Sequence, residues 1–164
     1  MREPLFGVPT LGGRQIWGDV LLHVGFRIQR NVFTGKHRLL DPWDIRLARG
    51  DMSDCRAVLK RVCATKKITP RSDHLVLCLH GFLRTKEVFL PMTRHLRSLG
   101  YEAWALNYPS TRLSLQDCAT QVEEVLDNMV GIRKVSFVCH SMGGMVARAL
   151  LAREGAWADR LDVN

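Results

Sequence analysis

A chain of 164 residues, 46% hydrophobic and 24% charged, has the composition of one ordinary folded domain and too little length for two. Its 13 Gly and 6 Pro exclude low-complexity and collagen-like sequence, and no apolar run approaches the roughly 18 residues of a membrane-spanning helix. The net charge of +8 is uneven: residues 1–74 carry 14 basic and 7 acidic side chains, and residues 75–164 carry 10 and 9. The basic residues are dispersed, without interleaved aromatics or a nucleic-acid motif, so the expectation is a solvated basic face and no nucleic-acid partner. Peripheral membrane contact is compatible with the charge, but nothing else in the sequence supports it. Arg2 and Glu3 lead into a Gly- and Pro-broken stretch rather than an apolar signal core, so a cytoplasmic location is expected. The five cysteines, Cys55, Cys63, Cys78, Cys118 and Cys139, include no CxxC pair and no His at zinc spacing, which argues against a disulfide framework or zinc site. Cys78 and Cys139 lie in apolar runs, where burial is expected.

The front of the chain, residues 1–73, reads as a mixed extension. Phe26 to Leu40 contains two short apolar-rich runs around Thr-Gly-Lys, which predicts a hairpin. From Asp51 or Ser53, either a good N-cap, Cys55, Val58, Leu59, Val62 and Cys63 recur at helical spacing up to Lys67. Lys60, Arg61, Lys66 and Lys67 fall late in that helix, where cations complement its dipole. Pro70 to Asp73 then forms a polar break, the best boundary in the chain.

Residues 74–164 are more regular. Leu75 to Leu79 is a continuous apolar run of strand length, as expected for a strand buried on both faces of a parallel sheet. Phe89, Met92, Leu96 and Leu99 follow at helical spacing, with Pro91 in the first turn and Gly100 as terminator. Glu102 to Leu106 predicts a second strand that stops at Asn107-Tyr108-Pro109. Ser114 and Asp117 form a capping box before a helix with Leu115, Cys118, Val122, Val125 and Met129 on one face, closing at Gly131. Lys134 to Cys139 predicts a third buried strand. This βαβαβ order implies a mostly parallel, open α/β sheet with right-handed crossovers and its chemistry at the carboxyl ends of the strands.

At the end of the third strand stands Cys139-His140-Ser141-Met142-Gly143-Gly144, and Met145, Val146, Ala149 and Leu150 continue at helical spacing. Ser141 between strand and helix is the setting of a nucleophile elbow, a tight turn that lifts the hydroxyl clear of the backbone. The residues two before and two after the serine approach each other there. Gly143 suits this, while Cys139 stands where a Gly is usual but is small enough. The Met142 amide would face negative charge developing beside the serine. After the first strand comes His80-Gly81-Phe82, where Gly81 permits a sharp turn and Phe82 could aim a second amide at Ser141. His80 is expected to shape that loop through a ring hydrogen bond to backbone. His140 is expected to point away from Ser141, His95 to be solvated, and His23, His37 and His74 to be surface residues.

From Leu75 to Arg153 these features resemble the lipase and esterase branch of the α/β-hydrolases. The resemblance implies the N-terminal part of an α/β-hydrolase fold, Ser141 as nucleophile, Phe82 and Met142 as oxyanion donors, and a small-molecule or lipid carboxylic ester as substrate, with no metal or organic cofactor. Residues 1–73 carry nothing over from that family. In this fold the acid and histidine follow the serine in chain order. No histidine follows Ser141, and Glu154, Asp159 and Asp162 lie too near it to come from a later strand. The chain therefore reads as nearly inert alone, either because it is truncated before later strands or because it is a non-catalytic binding module. Arg160 to Asn164 resembles the entrance to another strand, which favours the first.

Overall fold

The structure is a computed structural model that describes residues 8–9, 15–153, 155 and 157–160. Two sheets make up the fold. The first is antiparallel, in spatial order β1-β5-β4-β3-β2, from Val8–Pro9 (β1), Trp17–His23 (β2), Phe26–Asn31 (β3), His37–Leu40 (β4) and Ile45–Gly50 (β5). Helix α1, Met52–Lys66, follows, with Asp51 and Asp54 forming a reciprocal capping box and Lys67 closing it in the left-handed region. The second sheet is parallel, in order β7-β6-β8, from His74–Leu79 (β6), Glu102–Leu106 (β7) and Lys134–Cys139 (β8). A 3-10 turn, Lys86–Phe89, leads into α2, Leu90–Ser98; α3 spans Leu115–Asp127 and α4 spans Met142–Leu151. Among the described residues no helix is long and apolar enough to cross a membrane.

The rear half follows its sequence closely. The three strands occupy the predicted segments, Ser114 and Asp117 close the capping box of α3, and Gly100 terminates α2 at φ +94°. Alternation along β6 explains how one apolar run serves two layers. Leu75, Leu77 and Leu79 join the core beneath α3 and α4, while Cys78 packs with Phe89 and Ala105 on the opposite face. Some expectations fail. Met92 and Leu99 are exposed, because α2 lies against β7 through Phe89 and the buried Thr93. In β8 only Val135 is fully buried: Ser136, Phe137 and Val138 are half-buried and Cys139 is exposed, since β8 has β6 on one side and no strand among the described residues on the other.

The front half holds more structure than its sequence announces. The predicted hairpin is β3 and β4, but β2 and β5 extend it, so the extension is a sheet packed on α1 through Val20, Phe26, Ile28, Leu39, Cys55 and Leu59. The β2–β3 turn puts Val24 at φ 48° and Gly25 at φ 81°. Paired positive φ values give a tight hairpin whose twist suits its strands, but Val is a poor residue for one, so the usual Asn-Gly signal is missing.

The basic front is not all solvated face. Asp19, Gln29 and Arg38 are register partners across β2, β3 and β4, and all three are buried with Arg27. Asp19 accepts from Arg27 Nη1 at 3.0 Å and from Gln29 Nε2 at 2.7 Å, and Gln29 Oε1 accepts from Arg38 at 2.7 and 3.0 Å. Burial brings the Arg38 guanidinium down to about 10, against the opposing pull of Asp19 and Asp44, and Trp17 stacks on it at 4.1 Å. A buried charge has to be paired or hydrogen-bonded: Asp19 pairs with Arg27, and Arg38 is held by Gln29 and Trp17.

The same aspartate joins the two sheets. Asn107, just past β7, donates its amide to Asp19 Oδ2 at 2.8 Å, and the Asp19 amide donates to the Asn107 carbonyl at 2.8 Å. Gln121 of α3 donates to the carbonyls of Asp19 and Asn107 at 2.9 and 3.0 Å.

Candidate active site

The end of β8 runs straight into α4, and the junction is Ser141 with φ 52° and ψ −121°. No ordinary non-glycine residue rests there; such backbone costs roughly 1–3 kcal/mol and persists only where its surroundings hold it. The hold is visible on both flanks. His140 donates its amide to the Leu79 carbonyl at 3.0 Å, and Gly143 and Gly144 donate to the His140 and Ser141 carbonyls at 3.0 Å each. Ser141 is exposed, and among the described residues its hydroxyl has no hydrogen-bond partner.

Gly143 is required by space. A Cβ there would collide with the Leu79 carbonyl of β6. The expected partner across the turn was Cys139, but the group that position 143 crowds is the neighbouring strand. Cys139 Cβ lies 4.0 Å from the place a Gly144 Cβ would take, so cysteine fits where the usual glycine is missing.

The loop after β6 lies against this turn. A Cβ on Gly81 would stand 3.1 Å from Ser141 Cβ and 3.1 Å from His140 Nδ1, so glycine lets the two loops touch. His80 is buried and stacks on Tyr108 with ring centroids 4.1 Å apart. Its Nδ1 donates to the Gly81 carbonyl at 2.8 Å, and Nε2 accepts from the Tyr108 amide at 3.4 Å. Both ring nitrogens are used by one neutral tautomer, and burial lowers the ring's pKa in the same sense. The expected structural role for His80 therefore fits its partners. The consequence reaches the next residue: in a trans peptide C=O and N–H point opposite ways, so holding the Gly81 carbonyl fixes the direction of the Phe82 N–H. The amides of Phe82 and Met142 have no acceptor among the described residues.

Sequence reasoning missed the residues that brace this loop. Leu83 turns it in the left-handed region at φ 60° and donates to Ser110 Oγ at 3.2 Å. Arg84 returns its amide to Gly81 at 3.2 Å, its carbonyl accepts from Gln15, and Lys86 donates its amide to Asn107 Oδ1 at 2.8 Å. The buried Tyr108 hydroxyl donates to the His80 carbonyl. Asn107, Tyr108 and Ser110 stand just past the carboxyl end of β7, where this architecture gathers function, and that location was the available signal.

A cavity of about 320 Å³ beside the elbow is lined by Arg84, Val88, Phe89 and His140, with the exposed Phe82 and Leu83 in the same loop. His140 thus faces the Gly81 turn and this cavity. The other histidines are elsewhere: His95 is exposed on α2, His23 and His37 are half-buried, and His74, expected on the surface, is half-buried and shares a 2.8 Å hydrogen bond with Ser136. Asp159 lies in a short 3-10 turn, Ala158–Arg160; Glu154 and Asp162 fall outside the described residues.

No curated protein matches the chain. The family model for the alpha/beta hydrolase family matches residues 76–163, more than half of the sequence, from β6 through the elbow and beyond α4. With a parallel sheet, a strained serine at a strand-to-helix turn and a matching family model, the chain belongs to the alpha/beta hydrolase family.

Proposed function

We propose that this chain carries the nucleophile and oxyanion hole of a serine hydrolase for carboxylic esters. The observation that carries the reading is the backbone of Ser141, an exposed serine at φ 52° and ψ −121° between β8 and α4, because strain of this kind is retained where function needs it. Ser141 Oγ attacks the ester carbonyl carbon, the C–Oγ bond forms, and the carbonyl electron pair moves onto oxygen. The Phe82 and Met142 amides receive that oxyanion, each donor worth about 3 kcal/mol in the transition state. Collapse expels the alcohol, which takes the proton first removed from Ser141, and water then cleaves the acyl-serine to the acid. The apolar side chains Phe82, Leu83, Val88 and Phe89 around the elbow suit the acyl portion of a small or lipid ester.

The proton needs a base. His80 is neutral and committed to its loop, and no histidine follows Ser141. In this reading the imidazole and its acid are supplied from outside these 164 residues. A non-catalytic binding module is the competing reading, favoured by the same missing imidazole.

Turnover of p-nitrophenyl esters by the protein expressed from its whole reading frame separates the two. The hydrolase reading predicts hydrolysis that falls at least 1,000-fold in Ser141→Ala, as expected when a nucleophile is removed. Equal rates in both proteins, or none in either, would overturn it. Product analysis with added glycerol tells hydrolysis from acyl transfer.

A further inference from the structure

A second cavity, of about 260 Å³, lies between the β4–β5 turn, α2 and β7. It shares no lining residue with the cavity beside Ser141. Its charged lining is entirely cationic: Arg27, Lys86, Arg94 and Arg97, with Thr93 among them and Trp43 at the turn. Two of these cations are already matched. Lys86 Nζ is held by both Asp44 oxygens at 2.7 and 2.8 Å, and Arg27 by Asp19 at 3.0 Å. Arg94 is exposed, and among the described residues it forms no ion pair. Arg97 donates to the Ala103 carbonyl at 2.7 Å and lies 4.1 Å over the Trp104 ring, again without an ion pair among the described residues. Behind it Glu102 accepts the Arg71 amide at 3.0 Å, and the Arg71 guanidinium donates to the Arg97 carbonyl at 3.1 Å.

Arg27 holds an unsatisfied donor beside this cleft. The residue is 2% exposed, it lines the cavity, and its Nε is buried with no acceptor. A buried guanidinium donor normally has a partner. Burial holds Arg97 below its ordinary range, with Arg71, Arg94 and Arg27 acting in the same sense and Glu102 against it.

We propose that this cleft binds a phosphate monoester. Two unmatched guanidiniums complement a group that carries about 1.5 to 2 negative charges at neutral pH, whereas a carboxylate would neutralise one. Guanidinium forks suit its oxygens, and the volume takes a phosphate with a small organic stub. Trp43, 79% exposed, stands at the rim, where an organic portion or a lipid interface would meet it. The phosphate is either that of a soluble ester or that of a lipid headgroup.

The test titrates the protein expressed from its whole reading frame with glycerol 3-phosphate, with inorganic phosphate, and with vesicles of phosphatidylcholine with or without phosphatidic acid, followed by tryptophan emission and calorimetry. Arg94→Ala and Arg94→Glu serve as variants, because Arg94 is exposed and outside the core. Saturable binding that weakens at least tenfold in Arg94→Ala and vanishes in Arg94→Glu, at unchanged melting temperature, is expected. Binding in the soluble arms identifies a free ester; binding confined to phosphatidic acid vesicles identifies a headgroup. No saturation in any arm, affinity indifferent to Arg94, or equal binding to both vesicle types overturns the proposal.

Discussion

The two sheets of this protein solve burial in opposite ways. The parallel sheet is covered by helices and filled with Leu, Val, Ala and Cys, so its centre needs no polar partner. The antiparallel sheet is apolar toward α1 but carries Asp19, Gln29, Arg27 and Arg38 in its interior, each satisfied largely by the others. An apolar core tolerates changes of shape better than loss of one member of a charged row, because the row leaves an uncompensated charge behind. The molecule is therefore brittle at Asp19, which belongs to the front sheet and is hydrogen-bonded to Asn107 behind it.

Asp19→Ala should therefore have the largest effect. It leaves Arg27 unpaired in the interior and removes the acceptor of the Asn107 amide, at a cost of about 3–5 kcal/mol, read by urea denaturation; a loss below about 1 kcal/mol would show that the row is dispensable. Gly143→Ala comes next. Its new Cβ meets the Leu79 carbonyl, so a loss of about 3 kcal/mol is expected, together with loss of any acylation at Ser141. If stability and labelling both survive, the close approach of elbow and β6 is wrong.

Tyr108→Phe removes only the donor to the His80 carbonyl and leaves the stacking in place, for a loss of about 1.5 kcal/mol. His80 adds a pH dependence whose sign follows from its lowered pKa. Because the folded ring resists protonation, the unfolded chain binds more protons as pH falls below about 6.5, and stability drops from there toward the depressed folded value. Melting temperature between pH 7.5 and 5.5 should fall, and His80→Gln should flatten the curve; an unchanged slope would remove His80 from it. The smallest effect is expected for Lys36→Ala, which breaks the solvated pair with Asp51 and should change stability by no more than about 0.5 kcal/mol.

The same contrast explains what could be read from sequence. The rear strands read as short, mostly apolar runs, and Glu102–Leu106 and Lys134–Cys139 announce themselves although Glu102 is buried and Ser136 half-buried. In the front sheet Asp19, Arg27, Gln29 and Arg38 occupy interior positions, so the alternation that identifies a half-buried strand is reversed there, and Val24 conceals the turn between β2 and β3. The basic excess consequently read as solvated surface although Arg27 and Arg38 are buried. At the elbow, Ser141, Gly143, His80 and Gly81 were legible because sterics restrict which residues fit. The braces Gln15, Tyr108 and Ser110 were not, since they act through contacts formed only when distant segments meet.

In the proposed reaction Ser141 is the group that becomes acylated. Treating the protein expressed from its whole reading frame with a fluorophosphonate and mapping the adduct by peptide mass spectrometry tests this directly. The predicted result is one phosphonylated residue, Ser141, and no adduct in Ser141→Ala; an unmodified Ser141 in the folded protein, or the same labelling in the variant, would contradict it.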